Sequence, residues 1–288
     1  MSTNPRKTAV LTLHCEDVKG IVYHVSRFIY ERGGNIITSN QHHEELGDRF
    51  FMRVCFDRSE IQVTQAQLES DLAELAGRFN MQTQLSYSER RKRMAIMVSR
   101  TDHCLYDLLL RRQYGEIDCD IACVVSNHLE LERVAHSFQI PYFYIPVEPQ
   151  TKAQAEEQTL EVFRQHQVDF VVLARYMQIL SPTLLDAYSN KIINIHHGFL
   201  PAFKGARPYH QAYSKGVKII GATSHYATVD LDMGPIIDQD TIRVNHSHSV
   251  EDMLALGRDI ETRVLARAVK AHVEDRIMVC QNRTIVLD

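Results

Sequence analysis

Ile121-Ala122-Cys123-Val124-Val125 has no internal polarity. A short run of this kind reads as a strand buried on both faces, as in a parallel sheet covered by helices. Phe170-Val171-Val172-Leu173-Ala174 reads the same way. Working outward, residues 95–98, 142–145 and 192–195 are further strands, and helical spacing returns between them. One helix starts near Thr101-Asp102 and turns Leu105, Leu108 and Leu109 inward, and a second runs to Phe138. Thr151-x-x-Gln154 has the capping pattern of a third helix, which reaches about His166. Ser181-Pro182 opens a fourth. Residues 221–227 and 236–242 add strands at the sheet edge. Ser249 caps a long helix to about Val273, followed by one strand. This alternation predicts an α/β domain over residues 94–288: an open, mostly parallel, doubly wound sheet.

The first part of the chain has a different rhythm. Residues 8–14 alternate like a strand. Glu16-Asp17 offers a cap for a helix carrying Ile21, Val22, Val25, Phe28 and Ile29, which stops at Gly33-Gly34. A strand begins at Ile36-Ile37, Gly47-Asp48 reads as a turn, and residues 49–56 form the next strand. Thr64-x-x-Gln67 is a capping box before Leu68, Leu72, Leu75 and Phe79, which share one helical face. Residues 81–87 close the unit as a fourth strand. The order βαββαβ is that of a ferredoxin-like α+β domain, placed at residues 1–88. Ser88-Glu-Arg-Arg-Lys-Arg93 then reads as a solvated linker over residues 89–93 rather than a nucleic-acid patch.

Composition agrees with two soluble domains in 288 residues. Lys and Arg number 32 against 36 Asp and Glu, a net charge of −4. Residues 1–93 carry 13 basic and 12 acidic side chains, and residues 94–288 carry 19 and 24. Neither part has the positive excess of a nucleic-acid binder. No apolar run approaches the roughly 18 residues needed to cross a bilayer, and the start lacks a signal-peptide core. A cytoplasmic protein with reduced thiols is expected. Cys119 and Cys123 are four apart on a strand, where alternation puts both on one face as buried apolar residues.

Six of the 15 histidines and five of the 12 glycines fall between His196 and His248, which directs attention there. Ligands of open α/β sheets sit outside the carboxyl ends of strands. Asn194-Ile195-His196 lies at such an end, and alternation points Asn194 and His196 to one side. An Asn amide can donate to an oxyanion, and a His can move a proton near neutral pH. Gly198-Phe199-Leu200-Pro201 and Lys204-Gly205-Ala206-Arg207-Pro208 follow as a tight path over a cavity. Thr223-Ser224-His225-Tyr226 then leads to Asp230-Leu231-Asp232-Met233-Gly234-Pro235, an acidic loop stiffened by Gly-Pro. Asp230 and Asp232 face opposite ways, so one of them is the catalytic carboxylate. An oxyanion donor, a proton handler and a base are the parts of acyl cleavage or transfer. A metal set is disfavoured: adjacent His196 and His197 diverge on a strand, and His246-x-His248 lacks partners of usual spacing. No Gly-x-Gly-x-x-Gly follows residues 95–98, and no Gly-x-Ser-x-Gly is present.

Asn194-Ile195-His196, Leu200-Pro201 and His225…Leu231-Asp232-Met233-Gly234-Pro235 resemble the formyltransferase family that uses 10-formyltetrahydrofolate. Asp102-His-Cys-Leu-Tyr-Asp-Leu-Leu109, Ala174-Arg-Tyr-Met-Gln-Ile-Leu180 and Ala202-Phe-Lys-Gly-Ala-Arg-Pro-Tyr-His210 resemble its hydrolytic branch, the formyltetrahydrofolate deformylases. That branch carries an ACT domain in front, and the first unit resembles one. The resemblance implies hydrolysis of 10-formyltetrahydrofolate to tetrahydrofolate and formate, regulating the one-carbon folate pool. It implies no permanently bound cofactor, the folate being substrate. Catalytic roles pass to Asn194, His196 and Asp232, with His225 and Gly198 supporting. Folate contacts pass to Met177, Gln178, Ile179, Leu180, Leu200, Pro201, Thr228, Val229 and Asp230, with Arg175 a candidate for a cofactor carboxylate. An amino-acid effector is implied at Asp17, Gly20, Ile21, Asn35 and Ile36, as is a homo-oligomer, dimer or tetramer. Gly198 stands where the resemblance leads one to expect serine.

The alternative is transfer of the formyl group to a small amine such as glycinamide ribonucleotide. Ser99-Arg-Thr-Asp-His103 is not glycine-rich, and Asp102 disfavours a phosphate there. Transfer to a tRNA would call for a basic C-terminal domain, whereas this chain stops at Asp288. Water is the remaining acceptor. A catalytically silent folate or amino-acid sensor is the third class, opposed by the intact Asn194, His196 and Asp232 set.

Overall fold

The computed structural model describes residues 7–202 and 208–288, so the Phe203-Lys204-Gly205-Ala206-Arg207 stretch read above lies outside the described residues. The chain divides into two compact units. One ends at Arg91 and includes Glu274–Met278 and Ile285–Asp288; the other holds Lys92–Val273 and Val279–Thr284.

The first unit contains β1 (Thr8–Glu16), α1 (Ile21–Glu31), β2 (Asn35–Glu44), β3 (Arg49–Asp57), α2 (Gln65–Phe79) and β4 (Gln82–Tyr87). Its antiparallel sheet has the order β2-β3-β1-β4. Alternation along β1 buries Ala9, Leu11, Leu13 and Cys15 against Val25, Phe28 and Ile29 of α1 and Leu68, Leu72 and Leu75 of α2. Thr64 accepts a hydrogen bond from the Gln67 amide at 3.2 Å, as its capping pattern predicts. Glu16-Asp17 does not cap α1. The helix starts after Gly20, whose φ of 99° ends the turn without a side-chain cap, and Val22 faces solvent. Among the effector candidates, Asp17 pairs with His43 (2.8 Å) and Ile21 is committed to the core. Asn35 and Ile36 sit at the start of β2, opposite Asp57 and Phe56.

The second unit runs β5 (Lys92–Val98), α3 (His103–Gln113), β6 (Cys119–Ser126), α4 (Glu132–Ser137), β7 (Tyr142–Tyr144), α5 (Lys152–Gln165), β8 (Phe170–Leu173), α6 (Pro182–Ala187), β9 (Ile192–His196), α7 (Pro208–Ser214), β10 (Ile219–Tyr226), β11 (Ile236–Arg243) and α8 (Val250–Val273). The chain closes with a two-stranded sheet, β12 (Ile277–Cys280) and β13 (Arg283–Val286), where the pattern predicts a single strand. The main sheet has seven strands in the order β11-β10-β9-β8-β5-β6-β7. Its five strands from β9 to β7 are parallel; β10 and β11 are antiparallel. From β5 the chain goes one way to β6 and the other way to β8. The crevice at that switch is where open sheets bind ligands. Among the described residues no helix is long and apolar enough to cross a membrane.

Four local expectations need correction. Lys92 and Arg93 are strand residues, not linker: Lys92 Nζ donates to the carbonyls of His272 and Val273 (3.0 and 2.9 Å) at the negative end of α8. Arg93 donates from its amide to Asp169 (2.9 Å) and from Nε to the His166 carbonyl (2.8 Å). The domain boundary at 94–288 also fails at the C-terminus. Arg53 donates to the carbonyls of Glu274 and Asp275, which places that segment in the first unit. Thr151 does not cap α5; its hydroxyl accepts from the Glu148 amide at 3.3 Å. Cys119 and Cys123 do not share a face, because a bulge at Ala122 shifts the register: Cys119 pairs with Lys92 and Cys123 with Ala95. Burial pushes both thiols up to about 12, so neither is a nucleophile.

Candidate active site

β9 ends at the carboxyl edge of the sheet between parallel β8 and antiparallel β10. Ile193 and Ile195 point into packing, which leaves Asn194 and His196 on the other face. In the β10 register, Asn194 is paired with His225 and His196 with Thr223. The loop after β10 brings back Asp232, whose backbone is left-handed (φ 57°), a conformation an aspartate tolerates.

These four side chains converge. Asp232 Oδ2 lies 3.2 Å from His196 Nδ1, and its Oδ1 lies 3.7 Å from His225 Nε2. Asn194 Nδ2 lies 3.1 Å from the same His225 Nε2. His225 Nδ1 is 3.0 Å from the Tyr226 carbonyl, which can only accept, so Nδ1 carries the proton. In the neutral ring Nε2 accepts from the Asn194 amide and leaves the second Nδ2–H of Asn194 for a ligand; in the protonated ring Nε2–H faces Asp232 and lends it positive charge. Burial opposes ionisation of Asp232, but hydrogen bonds and positive charge from His196 and His225 outweigh it. They hold the carboxyl well below the usual carboxylate range.

The four residues line one open cleft. Met177 (60% exposed) and Val229 (65%) present apolar side chains at its mouth, with Ile179 and Leu231. Exposed apolar groups around a few convergent polar ones are the usual construction of a small-molecule site. Ser99 braces this wall, accepting from the Met177 amide at 3.0 Å while donating to Asn127 at 2.8 Å.

Of the predicted site residues, the cleft brings together Asn194, His196, Asp232, His225, Met177, Gln178, Ile179, Leu180, Thr228 and Val229. Among the described residues Leu200, Pro201, Asp230 and Gly198 do not line it. Asp230 is exposed; its carbonyl takes a hydrogen bond from Thr228 Oγ1 at 3.1 Å. Gly198 does not line the cleft but sits against the Nε2 edge of the catalytic ring: a Cβ there would stand 2.9 Å from His196 Nε2. Leu200 is drawn inward by Thr223, a fully buried threonine. Its hydroxyl donates to the Gly198 carbonyl (2.9 Å) and accepts from the Leu200 amide (3.0 Å), while Gln239 Nε2 donates to the Leu200 carbonyl (2.9 Å). His197 was expected to diverge from His196, but the strand ends at His196 and both line the cleft. Burial, reinforced by the Arg175 charge, pushes His197 down to about 3, so the ring is neutral.

Thr223 therefore fixes the turn that backs His196. In Thr223→Val the shape is kept and the hydroxyl is lost, leaving a buried amide unpaired. The turn shifts, and kcat falls on the order of tenfold to a hundredfold because small displacements of a catalytic ring are costly. Steady-state kinetics on Thr223→Val and Thr223→Ser test this: serine restores the rate, and an unchanged kcat in the valine variant would refute the role.

A model of the formyl transferase family matches residues 92–269, and one of the ACT domain matches residues 9–73. A formyltetrahydrofolate deformylase of Bacillus subtilis is 48% identical over 279 residues, covering 96% of this chain and 93% of the relative. The chain belongs to the formyltetrahydrofolate deformylase family. A deformylase of this family from Synechocystis is 44% identical, with 97% and 98% of the two chains covered. The crystal structure of a formyltetrahydrofolate deformylase from Pseudomonas syringae superposes with a TM-score of 0.97 at 44% identity, over 100% of this chain and 96% of that one.

Sequence reasoning missed the support beneath the deformylase-type site. Glu261 of α8 is buried, and burial opposes its charge. Its carboxylate accepts from the Tyr209 hydroxyl (2.9 Å) and faces His103 Nε2 (2.8 Å) and Arg175 Nε (3.5 Å). The His103 hydrogen bond, followed by the Arg175 charge, lowers its pKa in spite of burial. Nothing in the local pattern marks a glutamate in a long helix as buried.

Proposed function

We propose that this chain hydrolyses 10-formyltetrahydrofolate to tetrahydrofolate and formate. The observation that carries the reading is the convergence of Asp232 on His196 and His225 beside Asn194 in an open cleft, in a chain 48% identical to a named deformylase. Water attacks the formyl carbon as Asp232 orients it and takes one proton. The carbonyl electron pair moves to oxygen, and the spare Nδ2–H of Asn194 and His196 stabilise the oxyanion. Collapse breaks the bond from carbon to N10, which takes a proton as tetrahydrofolate leaves. His196 Nε2 is buried without a hydrogen-bond partner among the described residues, so it is the ring atom left to carry that proton. These groups supply acid, base and oxyanion donor, and the reaction needs no resident cofactor. The apolar lips of the cleft suit a flat pterin ring.

The purified enzyme with 10-formyltetrahydrofolate in plain buffer should release formate and tetrahydrofolate in equal amounts. Turnover only after an amine is added would identify a transferase instead. The same reading includes a cytoplasmic homo-oligomer and an amino-acid effector at the Asp17–Ile21 turn and Asn35-Ile36. The ACT match supports the effector, and calorimetry with free amino acids tests it.

A further inference from the structure

Arg175 stands two residues beyond Leu173, which pairs with Asn194 across parallel β8 and β9. His196 stands two residues beyond Asn194. The arginine therefore leaves the sheet level with the catalytic histidine, at the reacting end of the cleft rather than at its apolar mouth. Its backbone is left-handed (φ 64°), unusual for a long side chain and a sign that surrounding structure holds it there. The side chain is 15% exposed and lines the cleft.

The guanidinium is incompletely satisfied. Its Nε and Nη1 are buried and have no hydrogen-bond partner among the described residues. The charge has a counter-ion in Glu261, 3.5 Å from Nε, but that carboxylate is already engaged by Tyr209 and His103. Neighbouring His197 is neutral and adds no charge. Nε already faces Glu261, so Nη1 is the donor left to find an acceptor, and a carboxylate can meet Nη1 together with Nη2 on the end of the planar fork.

We propose that Arg175 forms a carboxylate subsite that takes up the formate released by hydrolysis. The proposal rests on the deformylase reading. Formate is produced beside His196 and Asp232, one step along the sheet edge from the guanidinium. It is the smallest carboxylate, which suits a guanidinium as little exposed as this one. The other carboxylate in the reaction belongs to the glutamate tail of the folate, which must reach solvent and so favours the mouth of the cleft.

Isotope-labelled sodium formate titrated into the full-length protein and followed by NMR reads binding without turnover. Wild type binds formate, and acetate or chloride at equal concentration does not compete. Because Arg175→Met alone strands the buried Glu261 charge, the test variant is the charge-balanced pair Arg175→Met with Glu261→Gln, beside Arg175→Lys and Glu261→Gln alone. Formate affinity falls roughly tenfold or more in the double variant, the worth of a charge-assisted bond, and is kept in Glu261→Gln. Arg175→Lys retains part of it. Equal formate affinity in wild type and the double variant, or no binding by wild type, overturns the subsite. KM for the folate and for an analogue lacking the glutamate changes alike on loss of Arg175. A rise in KM only for the tailed substrate assigns the arginine to the tail and also overturns the proposal. If wild type hydrolyses no 10-formyltetrahydrofolate, it is the deformylase reading that fails, whatever the formate titration shows.

Discussion

Formate release by Asp232→Ala is expected to fall by at least ~10²–10³ relative to wild type, with the fold retained. The carboxylate faces both catalytic-edge histidines, at 3.2 Å from His196 Nδ1 and 3.7 Å from His225 Nε2. Removing it takes away the group that orients and deprotonates water, and it leaves His196 Nδ1 without its acceptor. Asp232→Asn keeps the volume but cannot take the proton, so its loss is of the same order. The pH dependence separates charge from shape. His196 and His225 hold the Asp232 carboxyl well below the usual carboxylate range, so the base is ionised throughout the neutral region. Its contribution to stability is complete above the unfolded value of about 3.9 and is lost as pH falls toward the folded one. Acid unfolding of wild type below about pH 4 therefore includes a component that Asp232→Asn lacks. Single-turnover formate release and acid melts check both; a variant that turns over near the wild-type rate would remove Asp232 from the mechanism.

The Asn194 and His196 partners of that carboxylate were legible in the sequence because they depend on a local rule. Alternation along β9 places Asn194 and His196 together, whereas exposed Asp230 and Asp232, also two apart, are separated by the turn and by the left-handed backbone at Asp232. The apolar runs at 121–125 and 170–174 likewise become central strands of the parallel sheet. What escaped depends on partners far along the chain. Glu261 meets His103, Tyr209 and Arg175 across the fold, and only these distant partners make its burial tolerable. Thr223 reads as an ordinary strand residue until the Gly198 carbonyl and Leu200 amide arrive beside it, turning Leu200 away from the cleft. Lys92 and Arg93 look solvated in a run of charges, yet they are consumed by carbonyls at the ends of neighbouring helices. The bulge at Ala122, which sends Cys119 and Cys123 to opposite faces, leaves no trace in composition or period. The first unit shows the same division: its core faces follow from period, whereas the pair between Asp17 and His43 of β2 does not.

Gly234→Ala should damage rate and stability together. A Cβ on Gly234 would lie 1.8 Å from the Tyr226 carbonyl oxygen and 3.0 Å from its carbon. The obstacle is backbone and cannot rotate away. It is pinned on both sides: the Tyr226 amide donates to the Pro235 carbonyl at 2.9 Å, and the Tyr226 carbonyl faces His225 Nδ1 at 3.0 Å. Relief must come from the loop, and Asp232 is two residues upstream on it. Overpacking of this kind costs about 1–3 kcal/mol or more. Moving a catalytic group by about 1 Å costs on the order of a hundredfold in rate. If the Tyr226 carbonyl yields instead, His225 loses the bond that fixes its proton on Nδ1, and Asn194 loses its acceptor on that ring. Either route lowers kcat on the order of a hundredfold, alongside a clear drop in melting temperature. Gly77→Ala is the matched control. Its Cβ would meet nothing within 4 Å on the exposed side of α2, so alanine there stabilises by about 0.5–1 kcal/mol and leaves the rate alone. Wild-type turnover by Gly234→Ala would mean that the loop carries Asp232 without depending on this contact, and that the left-handed turn at Asp232 alone aims the carboxylate.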